Sequence, residues 1–447
     1  MSRSLLTLPL FSGLLLSSMA AHGAGFALIE HSASGMGNAY AGAAAIAEDG
    51  STIYFNPAGM TELGDEQISG AIHWVRPRGD FTNNGSTTAS GDPLLGSDSR
   101  GQGVDGIIPN LYYSKRLDGG VMFGFGINVP YGMETSYDDD WVGRYHAVQS
   151  KVMSVNFNPS LAWKVSDKLS FGAGISGQYI RIELSNAIDF GSICLGTMPA
   201  STCAAQDADH PQQRDGFVEL EADAFSWGYN FGLLYKLQPE TRAGLSYRSK
   251  ITHNAEGKAD FTVPSSMAFL TAGGSFVDTD LSSSVTLPES TSLSFTHQID
   301  RVTLLFDWSY TRWSRFKELR IKYGSAQADS VTTENWQDSS RYSVGLNYQL
   351  NSGLLLRSGI AYDETPIPDD IHRTPRIPGS DRLWIALGFG YQIDNHLSVD
   401  VGYAHLFVED SGSDHSFESS VPDLNHTLSG EYEATVNILS AQLNWSY

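Results

Sequence analysis

Apolar and polar residues alternate with period two along most of this 447-residue chain, the pattern of strands with one apolar face. Residues 225–237 set Phe225, Trp227, Tyr229, Phe231, Leu233, Tyr235 and Leu237 on one face, against Ser226, Gly228, Asn230 and Gly232 on the other. Residues 151–165 group Met153, Val155, Phe157, Leu161, Trp163 and Val165 against Ser154, Asn156 and Asn158. Residues 342–350 oppose Tyr342, Val344, Leu346, Tyr348 and Leu350 to Ser343, Gly345, Asn347 and Gln349, and 383–391 and 397–407 repeat the pattern. Strands are expected at 66–76, 107–117, 120–131, 151–165, 169–184, 225–237, 241–251, 290–299, 302–313, 341–350, 353–363, 382–393, 396–408 and 434–447. That is an even number, so both chain ends fall on one side.

Soluble β-sandwiches also alternate, but three features favour a transmembrane antiparallel β-barrel of about 14 strands. The apolar faces are long enough for tilted strands to cross a bilayer. Aromatic residues gather at strand ends. The connections alternate between tight turns at Leu117-Asp118-Gly119, Ser166-Asp167-Lys168, Asn351-Ser352-Gly353 and Asp394-Asn395 and long loops at 76–105, 184–224, 250–290, 320–340 and 363–380. The predicted class is all-β.

Two segments precede the barrel. Arg3, the apolar run Leu5 to Leu16, and small residues around Ala20, Ala21 and Gly23 have the order of a secretory signal peptide, assigned to 1–23. Residues 24–62 are rich in small residues, carry an Ala-rich turn of helix at 39–47 and contain Asn56-Pro57-Ala58. A compact piece ahead of a barrel reads as a plug, or hatch, inside the lumen, with 63–447 as the barrel. The chain is then a gated channel.

The formal net charge of −22 opposes nucleic-acid binding. Cys194 and Cys203, close together in an exported polar stretch, read as a loop-closing disulfide; two such ligands without a His pair make no metal site. No cofactor is expected. Gly174-Ile175-Ser176-Gly177 lies in a continuing strand and is no nucleophile elbow. Gly35-x-Gly37 lacks the preceding strand and third glycine of a nucleotide site. No enzyme is expected.

Ala24-Gly25-Phe26, Ser34-Gly35-Met36-Gly37-Asn38-Ala39-Tyr40, Asn56-Pro57-Ala58, Trp313-Ser314-Arg315-Phe316 and Ile377-Pro378-Gly379-Ser380-Asp381-Arg382-Leu383-Trp384 together resemble the FadL-type outer-membrane long-chain fatty acid transporters, over essentially the whole mature chain. The resemblance implies a fourteen-stranded barrel closed by an N-terminal hatch. It implies capture of a hydrophobic molecule among extracellular loops, passage to a tighter site and lateral release beside a kinked third strand. By resemblance Arg181 and Arg320 take the head-group positions and Phe26 belongs to the ligand site. Arg181 shares a face with Tyr179 and Glu183, opposite Ile180, Ile182 and Leu184, which points it inward and requires a bulge near Ser176; the bland reading is an arginine paired with Glu183, and for Arg320 one paired with Glu318. Phe261, Val263, Met267, Phe269 and Leu270, with Phe276, read as a capture groove shared with Phe190, Ile193 and Leu195, or as a loop packed on its neighbours. Pro130 and Gly132 mark either an opening in the wall or a strand end. Asn56-Pro57-Ala58 reads as a turn, and by resemblance as the hatch segment that packs in the lumen. The expected partners are a hydrophobic small molecule, lipopolysaccharide and outer-membrane lipid, and the assembly machinery through the C-terminal strand ending Trp445-Ser446-Tyr447. The chain is expected as a monomer. Uptake of neutral aromatic hydrocarbons or alkanes is the rival reading, an outer-membrane lipid hydrolase the rival of another class.

Overall fold

A computed structural model describes residues 25–100, 103–418 and 424–447; the expected signal peptide lies outside the described residues. Fourteen antiparallel strands form one closed barrel. They are β1 (Glu66–Asn83), β2 (Gly106–Arg116), β3 (Met122–Asn128 and Gly132–Ser136), β4 (Gln149–Lys164), β5 (Leu169–Asp189), β6 (Asp215–Gln238) and β7 (Thr241–Arg248 and Ile251–Thr262). They continue as β8 (Thr279–Leu287 and Ser290–Ile299), β9 (Val302–Thr311 and Glu318–Tyr323), β10 (Ser330–Thr333 and Ser339–Gln349), β11 (Leu354–Asp363), β12 (Arg382–Gln392), β13 (Leu397–Val408 and Ser411–Ser416) and β14 (Thr427–Ser446). The sheet closes where β14 pairs with β1, from Gln67↔Ser446 to Asn83↔Gly430. Closure leaves no edge, so backbone N–H and C=O groups facing lipid are paired within the ladder. No described helix is long and apolar enough to cross a membrane.

The alternation sorts side chains between two media. Phe225, Trp227, Tyr229 and Phe231 of β6 stand exposed on the outside, while Asn156 and Asn158 of β4, Asn230 of β6 and Ser343 and Asn347 of β10 are buried toward the lumen. Several strands run further on the loop side than the hydrophobic pattern predicts: β5 reaches Asp189, β6 begins at Asp215, and β7 and β8 include 251–262 and 279–287. There the outer face carries Glu219, Glu221 and Asp223, and the inner face Ala222 and Ala224. Alternation persists with its chemistry exchanged, because the outside is now water. For the same reason β5 needs no bulge near Ser176: its ladder with β6 runs in one register from Leu169↔Tyr235 to Asp189↔Asp215.

Inside the barrel lies the N-terminal segment, with helices α1 (Ala33–Gly37), α2 (Ala43–Ile46) and α3 (Thr52–Phe55) and a 3-10 turn at Pro57–Glu62. Ser32 caps α1 by accepting a hydrogen bond from the Gly35 amide at 3.1 Å. Over the loop end, Asp189 caps α4 (Phe190–Thr197), and Cys194 and Cys203 are disulfide-bonded with α-carbons 5.8 Å apart.

Candidate functional site

The third strand is broken where Pro130 removes a ladder donor. β2 pairs with β3 from Arg116↔Met122 up to Leu111↔Ile127. Among the described residues that pairing returns only at a single bridge, Gly103↔Thr135. In between, the β3 backbone bonds instead to residues 26–28 of the segment inside the barrel. The Leu28 amide donates to the Pro130 carbonyl at 2.9 Å, and the Gly132 amide donates to the Phe26 carbonyl at 3.0 Å. The peptide groups that β2 forgoes are thus paired with the hatch. β3 resumes at Gly132 after the break, so Pro130 marks an interruption and not a strand end.

Phe26 is held in an aromatic box, its ring centroid 5.9 Å from Tyr131, 5.0 Å from Trp313, 6.0 Å from Phe316 and 5.9 Å from Trp336. Gly25 before it has φ +59, and a Cβ there would lie 2.7 Å from the Trp336 ring. Only glycine fits both the dihedral and the gap.

A cavity of about 600 Å³ lies between this segment and the barrel wall. It extends to both sides of the break, touching Gly103, Asp105 and Ile107 on one and Val129, Pro130 and Glu134 on the other. One wall is apolar, with Phe26, Leu28, Val129, Tyr131, Val152 and Trp313. The other carries Ser292, Asp307, Ser309, Arg341 and Asp363, with Arg248 and Arg382 also reaching the space. The Arg341 side chain is 6% exposed, and its Nε and Nη1 have no hydrogen-bond partner among the described residues. It lies 5.0 Å from the Trp384 ring centroid.

Wall arginines grip the hatch by its carbonyls. Arg242 Nη1 donates to Ile46 O at 3.0 Å, Arg248 Nη2 to Tyr54 O at 2.9 Å, and Arg341 Nη2 to Ala39 O at 3.0 Å. Arg357, its side chain 4% exposed, pairs with Glu48 of the hatch at 3.1 Å and with Asp400 of the wall at 3.0 Å. At Asn56-Pro57-Ala58, the Asn56 amide donates to Ala44 O at 2.6 Å and to Leu233 O at 2.9 Å, while its Oδ1 accepts from the Ala58 amide at 3.1 Å. Cβ atoms at Gly172 or Gly232 would collide with this turn, so the wall is thinned where the hatch leans on it.

The predicted site residues fall in three places. Phe26, Pro130 and Gly132 line the cavity, and Asn56, Pro57 and Ala58 pack beneath it against the wall. Phe261, Val263, Met267 and Leu270 pack together with Phe276 and Phe190 at the loop end, whereas Phe269 is exposed. Arg181 and Arg320 stand elsewhere, correcting the expectation that Arg181 points inward. Arg181 pairs directly opposite Asp223 and shares the outer face with Phe225. It is bound to Glu183 at 2.7 Å and Glu221 at 2.8 Å. Arg320 pairs with Glu318 at 2.7 Å and Asp329 at 3.3 Å, on the face opposite buried Ile321. The cations that do reach the cavity were legible in part: Arg341 opposes Tyr342 in its strand, and Arg382 lies within the quoted Asp381-Arg382-Leu383 motif.

A barrel with an internal hatch, a cavity with one apolar wall and a break in one wall strand defines a channel for molecules that shun water. Residues 14–447 match the family model described as "Outer membrane protein transport protein (OMPP1/FadL/TodX)", and the chain belongs to that family. It is similar to outer membrane protein P1 of Haemophilus influenzae, 31% identical over 98% of each chain. It is also similar to the long-chain fatty acid transport protein of Escherichia coli O6:H1, 28% identical over 90% of this chain and 93% of that one. The crystal structure of a Pseudomonas aeruginosa FadL homologue superposes with a TM-score of 0.85 at 23% identity, covering 94% of this chain and 99% of that one. The chain is an outer-membrane transporter of hydrophobic compounds and not an enzyme.

Proposed function

We propose that the chain imports long-chain fatty acids, which leave the barrel sideways through the break in β3. The observation that carries this reading is the two-faced cavity extending to that break. An acyl chain lying along Phe26, Leu28, Val129 and Tyr131 stays out of water throughout, each methylene contributing about 0.8 kcal/mol. A carboxylate at its end meets Arg341, whose Nε and Nη1 are unpaired, and a guanidinium receives a carboxylate through two parallel hydrogen bonds. The similarity to the Escherichia coli long-chain fatty acid transport protein supports the same substrate class. The N-terminal segment serves as the gate. It is held to the wall by hydrogen bonds and an ion pair and by apolar packing of Met36, Tyr40, Ile53 and Met60 against wall side chains, so its movement must exchange both kinds of contact.

The test is uptake of labelled oleate, and growth on oleate as sole carbon source, by cells whose own transporter is deleted and replaced by this chain. Uptake restored to at least several times the deletion background supports the reading. Uptake of toluene-like neutral compounds with none of oleate would replace it by a hydrocarbon channel.

A further inference from the structure

On the outer face, over the seam where β14 meets β1, the side chains facing lipid give way to polar ones within one step along the strands. Trp74 of β1, Leu439 of β14 and Tyr403 of β13 form one row across three strands, all exposed. Below them on β1 lie exposed Ile72 and Ile68. The next row toward the loops is Arg76, Asn437 and His405, again directly opposite one another. This row therefore marks the level where the apolar band of the barrel ends and head groups begin. Residues so paired hold their Cβ atoms about 4.5–5.5 Å apart, within reach of one ligand group.

Asn437 Oδ1 accepts hydrogen bonds from Tyr403 Oη at 2.7 Å and from His405 Nδ1 at 2.9 Å. Its oxygen is thereby engaged, and the Nδ2 hydrogens are what this side chain still offers; no described residue accepts them. Arg76 is exposed, its guanidinium 5.7 Å from the Trp74 ring centroid, and it forms no ion pair among the described residues. The neighbouring acid, Asp105, is taken by Arg78 Nη1 at 2.8 Å and by Trp74 Nε1 at 3.1 Å. Asp80 and Glu433, opposite each other, stand further toward the loops, about 13 Å along the strands from Arg76 and Asn437. A guanidinium and an amide NH2 thus sit side by side at head-group level, with donors to give.

We propose that this row binds the phosphate of an outer-leaflet lipid, with Arg76 as counter-charge and Asn437 Nδ2 as second donor. The acyl chains run down the wall over Trp74, Leu439 and Ile72. A guanidinium receives two phosphate oxygens through parallel hydrogen bonds. The donors stand directly above a face that meets lipid, so an anion carrying its own acyl chains fits both halves of the surface. A free anion fits only one. Trp74 and Tyr403 frame the row with rings that are apolar along the body and polar at one end. Lipid bound here spans β1 and β14, the pair that closes the barrel, and holds that seam from outside. The site is independent of what the cavity carries.

The test uses the full chain in maltoside micelles, which supply no phosphate, with native mass spectrometry to follow bound lipid. The probes are diphosphoryl lipid A, the same lipid stripped of its phosphates, and inorganic phosphate as competitor. Arg76→Gln is expected to weaken diphosphoryl lipid A binding roughly tenfold, the scale of a lost hydrogen bond to a charged group. Asn437→Ala should lose less, and Arg76→Lys should keep part of the affinity. The dephosphorylated lipid should bind wild type and Arg76→Gln alike. Both side chains stand on the outer face, so strand content should be unchanged in every variant. Diphosphoryl lipid A held equally by wild type, Arg76→Gln and Asn437→Ala overturns the inference. So does an equal loss for the dephosphorylated lipid, or inorganic phosphate that displaces lipid A at equal concentration, the mark of a simple ion site. A chain that imports no oleate would remove the import reading and leave this site standing.

Discussion

Phe26 is the residue through which the start of the hatch is seated. Its ring fills a box of four aromatic side chains, and its own carbonyl and the Leu28 amide complete the broken ladder of β3. Truncating a buried phenylalanine costs about 3–5 kcal/mol. Phe26→Ala should therefore unseat residues 25–28 while the barrel, built independently, keeps its strand content. Amide exchange at Leu28 and Gly132 should accelerate by at least tenfold with the far-ultraviolet spectrum unchanged; exchange at the wild-type rate would show that the box does not hold the segment. Arg181 and Arg320 are predicted in the opposite sense. Each is part-exposed and paired with two carboxylates outside the cavity, and exposed ion pairs contribute little. The double variant Arg181→Ala/Arg320→Ala should bind oleate within about twofold of wild type, and a tenfold loss would return them to the head-group role. Arg181 reads as inward only if one medium is assumed along the whole strand. In β5 the same parity faces outward throughout: Phe171, Ala173 and Ile175 lie at lipid height, then Tyr179, Arg181 and Glu183 in water. The apolar residues change faces because the surroundings change, while the register does not.

Among the elements, β3 and the hatch are understood only together. Pro130 and Gly132 announce an interruption in sequence, but the partner of the freed backbone is more than a hundred positions away, at 26–28. No local pattern encodes that pairing. The tight turns were legible because each is closed by its own residues, as where Leu350 N donates to Leu354 O at 3.0 Å and Ile393 N to Leu397 O at 2.9 Å. The loop-end extensions of β6, β7 and β8 were not, since charged residues on their outer faces hide the alternation. The hatch itself was visible as a small-residue segment; its anchorage by wall arginines was not, because those arginines are scattered over β7, β10 and β11. Arg357 gives that anchorage its largest single dependence. Removing it by Arg357→Ala leaves Asp400 buried without a counter-charge and takes from Glu48 of the hatch its partner on the wall, a change that costs about 3–5 kcal/mol. The urea midpoint for the folded barrel should fall measurably, and Arg357→Lys should restore part of the difference. An unchanged midpoint would mean that the pair contributes nothing to holding the hatch.

For the molecule as a whole, the fold answers one problem: giving hydrophobic compounds a route across the outer membrane. The barrel presents lipid-facing side chains outside and a polar lumen inside. The hatch occupies that lumen, and the cavity beside it reaches the break in the wall strand. The central claim is that substrate leaves through the β3 break. Between Leu111↔Ile127 and Gly103↔Thr135 both strands contain the same number of residues, so a regular ladder fits the gap once the proline is gone. Pro130→Thr/Gly132→Val restores the missing donor and raises strand preference. The deciding measurement is oleate uptake by cells carrying this double variant, alongside oleate binding to the purified protein. The account predicts binding close to that of wild type with uptake reduced to the level of the deletion strain. Uptake at the wild-type rate through a wall whose ladder has closed would contradict it.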